Sequence, residues 1–334
     1  MEKLWEPIEI KGLRIENRIV AAPMATNTAT GSGLPTADTL EWHQRMASTG
    51  VGLAIVEHHA VTPQGRTRKR QMMLDSDDAL PYLKDIPELY RKAGVPVIVQ
   101  INHAGSFIQD EDLVNGGGNF IGPSAIRHPR CTLQVMPTAI AKQDMEGLVQ
   151  SFADAAVRGR KAGYDGIEIH ACHGFLLGQF LSPITNRRSD EYGGKPLNRA
   201  RLLFEIYEAV RSVLGDFPLA VRLGVADTPP GEEPAGQTVE DSLVIARELA
   251  ALKVDLLDIS GNMCLFDGKG SAWFAPWARA LKDVIGKTPL VCTGGIREFT
   301  VANDLITEKA CDIAGVGREL LKNPKLIHSW KNNG

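Results

Sequence analysis

The chain has 334 residues, 43% of them hydrophobic, and its formal net charge at pH 7 is −3. This length fits two domains or one large α/β barrel, and the hydrophobic content is sufficient for a large core. The small net charge and the absence of an apolar run long enough to cross a bilayer predict neither a nucleic-acid partner nor a membrane partner.

The N-terminal residues and the cysteines indicate the compartment. Residues 1–7 contain no apolar stretch of the kind found in a secretory signal peptide. The five cysteines are scattered and form no Cys-x-x-Cys pair, so disulfides and iron–sulfur clusters are not expected. We therefore expect a protein of the reducing cytoplasm.

Eight short apolar runs rich in β-branched residues recur along the chain and predict eight strands. The runs are residues 19–25, 53–59, 96–102, 166–172, 219–225, 256–261, 289–295 and 313–318. Each run is nearly continuously hydrophobic, which is typical of a parallel sheet that is buried on both faces. Helical periodicity occupies the segments between them, most clearly at residues 145–162, 199–214 and 239–252.

The alternation of strands and helices predicts parallel strands joined by right-handed crossovers. Eight such units in a chain of this length predict a single (β/α)8 TIM barrel of the α/β class, with residues 1–334 as one domain. A doubly wound open sheet is the alternative. It would require a Gly-x-Gly-x-x-Gly turn after the first strand, which residues 23–27 do not provide.

Five of the eight histidines lie at the predicted ends of three strands. They are His58, His59, His103, His170 and His173. The carboxyl ends of barrel strands face one rim, so we expect these side chains to gather at one site. A zinc or iron site, and hence a metal-dependent hydrolase, is one interpretation. Arg222 and Arg318 at neighbouring strand ends would repel a cation, so the sequence favours a site without metal.

The last two predicted strands end in glycines. Gly294 and Gly295 follow one strand, and Gly317 and Arg318 follow the other. Glycine lets backbone N–H groups approach a ligand closely, and barrels often bind phosphate beyond strands seven and eight. Arg318 can clamp a phosphate with two parallel hydrogen bonds. A pair of tight turns without a ligand is the alternative interpretation.

Several motifs together resemble the Old Yellow Enzyme family of flavin-dependent ene-reductases. They lie at residues 17–24, 55–66, 99–105, 170–199 and 317–324, in the same order as in that family and over essentially the whole chain. The resemblance implies a barrel that holds non-covalent FMN. It also implies hydride transfer from NAD(P)H, through the flavin, to the C=C bond of an α,β-unsaturated carbonyl compound such as an enone or enoate.

The resemblance also implies roles for individual residues. Flavin-ring contacts fall on Pro23, Met24 and Ala25, contacts to the pyrimidine end of the ring on Gln100 and Arg222, and phosphate contacts on Gly294, Gly295, Gly317 and Arg318. His170 and His173 would donate hydrogen bonds to the substrate carbonyl, where they would stabilise the enolate-like charge.

The chain departs from the family pattern at the expected proton donor. Family members usually have Tyr two residues after the second His (or Asn), and this chain has Phe175, which has no proton to give. Ala25 replaces the usual Thr or Cys beside the flavin. His58 replaces a small residue and is a candidate substitute donor. Phe175 therefore also motivates a flavin-dependent isomerase or desaturase, or a non-catalytic flavoprotein.

The first-strand motif is similar to the enoate- and dienoyl-CoA-reductase branch of the family, in a barrel-only form. That branch carries an iron–sulfur cluster, for which the cysteines are lacking here. Reducing equivalents would then come from free NAD(P)H or from a separate electron-donor protein. The sequence leaves both that choice and a homo-oligomeric state open.

Overall fold

Eight parallel strands form a closed barrel in the computed structural model, which describes residues 2–133, 135–265 and 270–333. The described residues contain twelve strands, of which β1, β2, β6 and β7 lie outside the barrel: β1 (Ile8–Ile10), β2 (Leu13–Ile15), β3 (Ile19–Ala21), β4 (Leu53–Ala60), β5 (Val97–Asn102), β6 (Ile121–Gly122), β7 (Thr138–Ala139), β8 (Gly166–Ala171), β9 (Leu219–Gly224), β10 (Leu256–Ser260), β11 (Leu290–Thr293) and β12 (Ile313–Val316). The barrel order is β3-β4-β5-β8-β9-β10-β11-β12, and β12 pairs with β3 to close it. The predicted TIM barrel is confirmed.

Helices cover the outside of the barrel. They are α1 (Ala37–Ala47), α2 (Leu80–Leu83), α3 (Asp85–Ala93), α4 (Glu111–Asn115), α5 (Lys142–Ala162), α6 (Leu176–Leu181), α7 (Pro196–Arg199), α8 (Arg201–Leu214), α9 (Val239–Ala251), α10 (Ala275–Lys282), α11 (Phe299–Thr307), α12 (Arg318–Lys322) and α13 (Leu326–Asn333). Thr36 and Thr238 begin α1 and α9 with capping boxes, which satisfy backbone donors of the first turn. Among the described residues, no helix has the length and apolarity needed to cross a membrane.

All eight predicted barrel strands are present, and six of them end before their apolar runs end. The first run continues to residue 25, whereas β3 ends at Ala21, because the chain there leaves the sheet to line a cavity. The fully buried patterns of β5, β8 and β9 show why these runs are continuously apolar: both faces are covered.

A short N-terminal hairpin closes the amino end of the barrel. The strands β1 and β2 pair antiparallel, and Ile10 and Ile15 are buried against the interior of the barrel. Val20, Leu53 and Ile313 belong to the same apolar cluster. The sequence analysis did not predict this hairpin, because three-residue strands are too short to show periodicity. With this end sealed, the open end of the barrel lies at the carboxyl ends of the strands.

The strand β4 carries a register shift against β5 between Val56 and His59. Glu57 points away from the barrel mouth, where its carboxylate accepts from the Thr26 amide at 2.6 Å and from the Thr26 hydroxyl at 2.7 Å. The next residue, His58, lines the cavity at the barrel mouth. The shift therefore separates a carboxylate that anchors the chain after β3 from an imidazole that faces the cavity.

We expect Gly52→Ala to destabilise the protein. A Cβ at Gly52 would lie 2.2 Å from the backbone oxygen of Asn17, so the entries of β3 and β4 would have to move apart. Overpacking of this kind costs about 1–3 kcal/mol. Gly147→Ala is the matched control, because Gly147 lies in α5 with no neighbour within 4 Å of the added carbon. It should stabilise by about 0.5–1 kcal/mol. Urea-denaturation midpoints measure both changes, and equal midpoints for the two variants would contradict the account.

Candidate active site

Two adjoining cavities open at the carboxyl ends of the barrel strands. The larger has a volume of about 470 Å³ and the smaller about 200 Å³. Pro23, His173, Arg222 and Leu265 line both, so the two form one chamber. Its size falls in the range of about 300–1,000 Å³ that is typical of small-molecule sites.

One end of the chamber is suited to an anion. Gly294 and Gly295 have φ values of +128° and +74°, which favour glycine, and a Cβ at Gly294 would lie 3.0 Å from the Phe274 ring. Close backbone approach to a ligand is a common reason for such glycines.

Cations surround this glycine turn. Arg297, Arg318 and Lys322 line the same cavity, where Glu319 is the one carboxylate among the described lining residues. Glu319 lies 3.4 Å from Arg297 Nε and 2.9 Å from Lys322 Nζ. Three cations against one carboxylate leave a positive surface, which suits a phosphate.

A buried polar layer forms the floor of the chamber. Arg222 Nε lies 2.9 Å from Asp258 Oδ2, although the two atoms are not aligned for a hydrogen bond. Gln100 Nε2 donates to Glu168 Oε1 at 2.7 Å. Burial raises the pKa of Asp258 to about 6, and burial together with the nearby Asp258 charge raises that of Glu168 to about 8. The layer therefore combines the Arg222–Asp258 pair with a Glu168 carboxyl whose neutral form is favoured by burial.

His170 lines the smaller cavity and has one hydrogen-bonding atom without a partner. Its Nε2 atom is buried and has no protein partner, and the residue lines that cavity. Burial lowers the pKa of His170 well below its usual value, so the ring is neutral at pH 7. An unpaired buried polar atom is costly, which indicates that a ligand completes its bonding.

His173 lies beside His170 on a strained backbone. Its φ is +59°, in the left-handed region that non-glycine residues rarely adopt. Nε2 lies 2.7 Å from Ser260 Oγ, and the ring centroids of the two histidines are 5.1 Å apart. Burial also lowers the pKa of His173 well below its usual value, so both rings are neutral hydrogen-bonding groups.

The possible ligand atoms of His170, Cys172 and His173 lie within 4.8 Å of one another, a spacing that could hold a metal ion. Burial raises the pKa of Cys172 well above its usual value, and a protonated thiol is a poor metal ligand. Arg222 also faces the same chamber and would repel a cation. These groups therefore favour hydrogen bonding to a polar ligand over metal binding.

His58 is fixed in one tautomer by its neighbours. Its Nδ1 lies 2.7 Å from Gln71 Nε2 and 3.3 Å from Asn102 Nδ2. The Gln71 amide is oriented because its oxygen accepts from the Thr67 N–H at 2.8 Å. Nδ1 of His58 is thus an acceptor, and these bonds assign the ring proton to Nε2. Burial lowers the pKa of His58 to about 4, so His58 can donate a hydrogen bond but is a poor acid.

Phe175 forms an apolar wall of the smaller cavity. It is buried, and its ring centroid lies 5.1 Å from those of both His58 and His170, and 5.5 Å from that of Phe107. Phe107 and Phe175 belong to a small apolar cluster under the long loop of residues 105–137. The loop therefore closes one side of the chamber.

The cofactor-binding and catalytic residues that the family resemblance implied all line one of the two cavities. Of the five histidines that the sequence analysis expected to gather at one site, His59 and His103 line neither cavity. His59 Nδ1 lies 2.8 Å from the Glu57 carbonyl, and His103 Nδ1 accepts from the Gly105 N–H at 3.0 Å, so both have structural bonds. The sequence analysis missed Arg297 and Lys322, although Lys322 follows Arg318 by one helical turn, a spacing that could have indicated it.

The chamber fits a flat conjugated ring with a phosphate tail. Its glycine-rich end is positively charged, Pro23 and Met24 supply an apolar wall, and Gln100 and Arg222 supply polar groups at the opposite end. At Gly317 an added Cβ would lie 3.7 Å from Met24 Sδ, so this glycine lies directly beside the apolar wall. A barrel with such a site is characteristic of flavin-dependent oxidoreductases.

The comparisons with known proteins agree with this class. The sequence profile of the "NADH:flavin oxidoreductase / NADH oxidase family" matches residues 3–333. The chain belongs to this family, to which the Old Yellow Enzymes are also assigned. An NADPH dehydrogenase of Geobacillus thermodenitrificans is 36% identical, with 96% of this chain and 91% of that protein covered.

Two solved structures are also similar. A 2-naphthoyl-CoA reductase in complex with 2-naphthoyl-CoA superposes with a TM-score of 0.92 at 25% identity, covering 99% of this chain and 52% of that one. The Old Yellow Enzyme homologue from Zymomonas mobilis superposes with a TM-score of 0.84 at 25% identity, covering 99% of this chain and 93% of that one.

The protein is accordingly an NAD(P)H-dependent flavin oxidoreductase that uses non-covalent FMN, as the sequence predicted. The metal-dependent hydrolase and the non-catalytic flavoprotein are not supported by this family assignment. The acceptor that the enzyme reduces is a separate question, addressed below.

We expect the free energy of unfolding to fall as the pH is lowered from 7 to 5. Burial lowers the pKa of six histidines from 6.5, to about 4 or further, so the unfolded chain binds protons that the native protein does not. They are His58, His59, His103, His128, His170 and His173. Each contributes up to ~1.4 kcal/mol per pH unit in this window. Five carboxyl groups have raised pKa values and act with the opposite sign, but the six histidines outnumber them. They are Asp165, Glu168, Glu205, Asp227 and Asp258.

The measurement is a series of denaturation midpoints at constant FMN excess. His59→Gln removes one of these groups at a distance from the cavity, and it should reduce the slope of the midpoint against pH. Midpoints that stay level or rise on acidification would contradict the neutral state of these histidines.

Proposed function

We propose that the enzyme reduces the C=C bond of α,β-unsaturated carbonyl compounds, with NAD(P)H as the hydride donor. The observation that carries the proposal is the unpartnered Nε2 of His170, which lines the cavity next to His173. Bound FMN supplies reversible hydride transfer. The protein then has to bind the acceptor, polarise its carbonyl group and deliver a proton.

The proposed cofactor contacts follow the chemistry of the chamber. Gln100 and Arg222 would hold the polar end of the ring, where a guanidinium stabilises added negative charge. Pro23, Met24 and Ala25 would pack along it. Gly294, Gly295, Gly317 and Arg318, joined by Arg297 and Lys322, would hold the phosphate.

His170 and His173 would polarise the substrate carbonyl. If the Ser260 hydroxyl donates to His173 Nε2, the remaining ring proton of His173 is on Nδ1 and is available to a ligand. Two neutral N–H donors in a dry cavity stabilise an enolate-like oxygen without prior solvent reorganisation. Neutral donors also leave the Arg222–Asp258 pair beneath them electrostatically undisturbed.

Among the described residues that line the smaller cavity, none is a good donor of the proton that the α-carbon needs. Phe175 has no proton to give, and neutral His58 holds its Nε2 proton tightly because Nδ1 already accepts from Gln71. Water would then supply the proton slowly. This observation favours a second candidate, a flavin-dependent isomerase, in which the enolate-like intermediate would give its hydride back to the bound flavin before it is protonated. A desaturase would need a base at the same carbon, so this observation does not favour it.

His170→Ala should slow the reoxidation of reduced flavin by an enone far more than it slows flavin reduction by NADPH. The lost donor acts on the acceptor carbonyl, and removal of one such donor typically costs ~10²–10³ in rate. Stopped-flow absorbance separates the two half-reactions. His328→Ala is the control, because His328 is exposed and bonds to the Ser48 carbonyl away from the chamber. Equal losses in both half-reactions would argue against this role.

Phe175→Tyr should raise net alkene reduction, or shift the products from isomer to reduced compound. The added phenol would supply a proton at the position where the family usually has one, and general-acid assistance is worth ~10²–10⁴-fold where protonation limits the rate. Product analysis and the solvent isotope effect on one accepted enone are the measurements. Phe175→Leu is the control that changes the wall without adding an acid. Unchanged products and isotope effect in Phe175→Tyr would mean that the proton comes from elsewhere.

A further inference from the structure

The smaller cavity carries a positive charge that the proposed reduction of neutral enones does not use. Its described lining contains two guanidinium groups, Arg130 and Arg222, and no carboxylate. Asp258 balances Arg222 from below. Arg130, which is contributed by the long loop of residues 105–137, has no carboxylate within 4.0 Å anywhere in ranges 2–133, 135–265 and 270–333.

Three contacts hold Arg130 in place. Its backbone N–H donates to His128 Nδ1 at 3.1 Å, and Nη1 donates to the His173 carbonyl at 3.0 Å. The guanidinium carbon lies 4.8 Å from the centroid of the Phe107 ring, within the range of a cation–π contact. The side chain is half-buried, and only one of its five N–H groups is used by the His173 carbonyl.

Besides Arg130, a further cation, Arg68, lies beside the smaller cavity. Arg68 Nη1 donates to the Gln109 carbonyl at 3.2 Å, and Gln109 lines the cavity. The charge of Arg68 therefore adds to that of Arg130 at the mouth of the cavity.

We propose that Arg130 binds an anionic group, a carboxylate or a phosphate, on the ligand that occupies this cavity. Where the ligand is the substrate, this proposal rests on the proposed alkene reduction. It then limits the acceptors to unsaturated compounds that bear an acidic group. A half-buried guanidinium that has no carboxylate counter-ion among the described residues, held over an aromatic ring with its fork available, matches the planar geometry of such anions. Anionic phosphate groups of this kind are also present in the pyrophosphate of NAD(P)H.

Binding to the FMN-loaded protein tests the anion site without any turnover. Benzoate and benzamide have nearly the same shape and differ in charge, and calorimetry measures the dissociation constant of each. Arg130→Gln should weaken benzoate binding by about 10- to 100-fold, as expected for a charge-assisted bond, and should leave benzamide within about twofold. Benzoate affinity in the wild type should also fall with added salt.

Two further variants control this experiment. Arg127→Gln makes the same charge change at an exposed position of the same loop, outside both cavities, and should bind benzoate like the wild type. Arg130→Lys keeps the charge but not the fork, and should recover part of the affinity. Unchanged benzamide binding shows that the cavity is intact. Equal weakening of both probes, or unaltered benzoate binding in Arg130→Gln, would overturn the proposal.

Rapid mixing then identifies the source of the anion. One arm measures flavin reduction by NADPH, and the other measures reoxidation by cyclohexenone and by a cyclohexenone that bears a carboxylate. A loss in Arg130→Gln confined to the carboxylated acceptor assigns the site to the substrate. A loss confined to NADPH assigns it to the donor. If neither acceptor reoxidises the wild-type flavin, alkene reduction fails as the function, while benzoate binding still decides the role of Arg130.

Discussion

The ion pair between Arg222 and Asp258 inside the barrel is the contact on which the site depends. Their side chains are only 5% and 1% exposed, and a buried charge without a partner costs several kcal/mol. The pair is set by strand register, because Arg222 lies opposite Asp258 on one neighbouring strand and opposite His170 on the other. A shift of one residue would turn these side chains out of the barrel. The sheet that closes the barrel thus also fixes which polar groups face the chamber.

The low polarity of the chamber explains the protonation states of its histidines. The apolar cluster around Phe107 and Phe175 excludes water beside His58 and His170, so both rings stay neutral at pH 7. In such surroundings a hydrogen bond to a developing negative charge is stronger than in water. Phe175 helps to exclude water from the cavity, whereas a phenol at the same position would supply a proton. The side chain that best excludes water is therefore not the one that would protonate the substrate.

The sequence predicted the barrel, and it indicated most of the residues that line the candidate site, because those features repeat or cluster locally. Continuous apolar runs marked the eight strands, and the glycines before residues 296 and 318 marked the positively charged end of the chamber. Arg130 was missed because its loop has no periodicity, and only the fold brings it against His173. The tautomer of His58 was equally hidden, since it depends on Gln71, which lies on a separate segment after β4. Local patterns therefore identified strands and turns, whereas contacts between loops required the structure.

The positive φ of His173 limits which amino acids evolution can place there. A left-handed backbone costs most residues roughly 1–2 kcal/mol, while Asn, Asp and His adopt it more readily than other non-glycine residues. If His173 donates a hydrogen bond to the acceptor, as proposed, Asp is excluded because it is an acceptor when ionised, and glycine is excluded because it has no side chain. Only His and Asn satisfy both demands. A substitution between these two would keep the loop, and the carbonyl that Arg130 binds, in the same position.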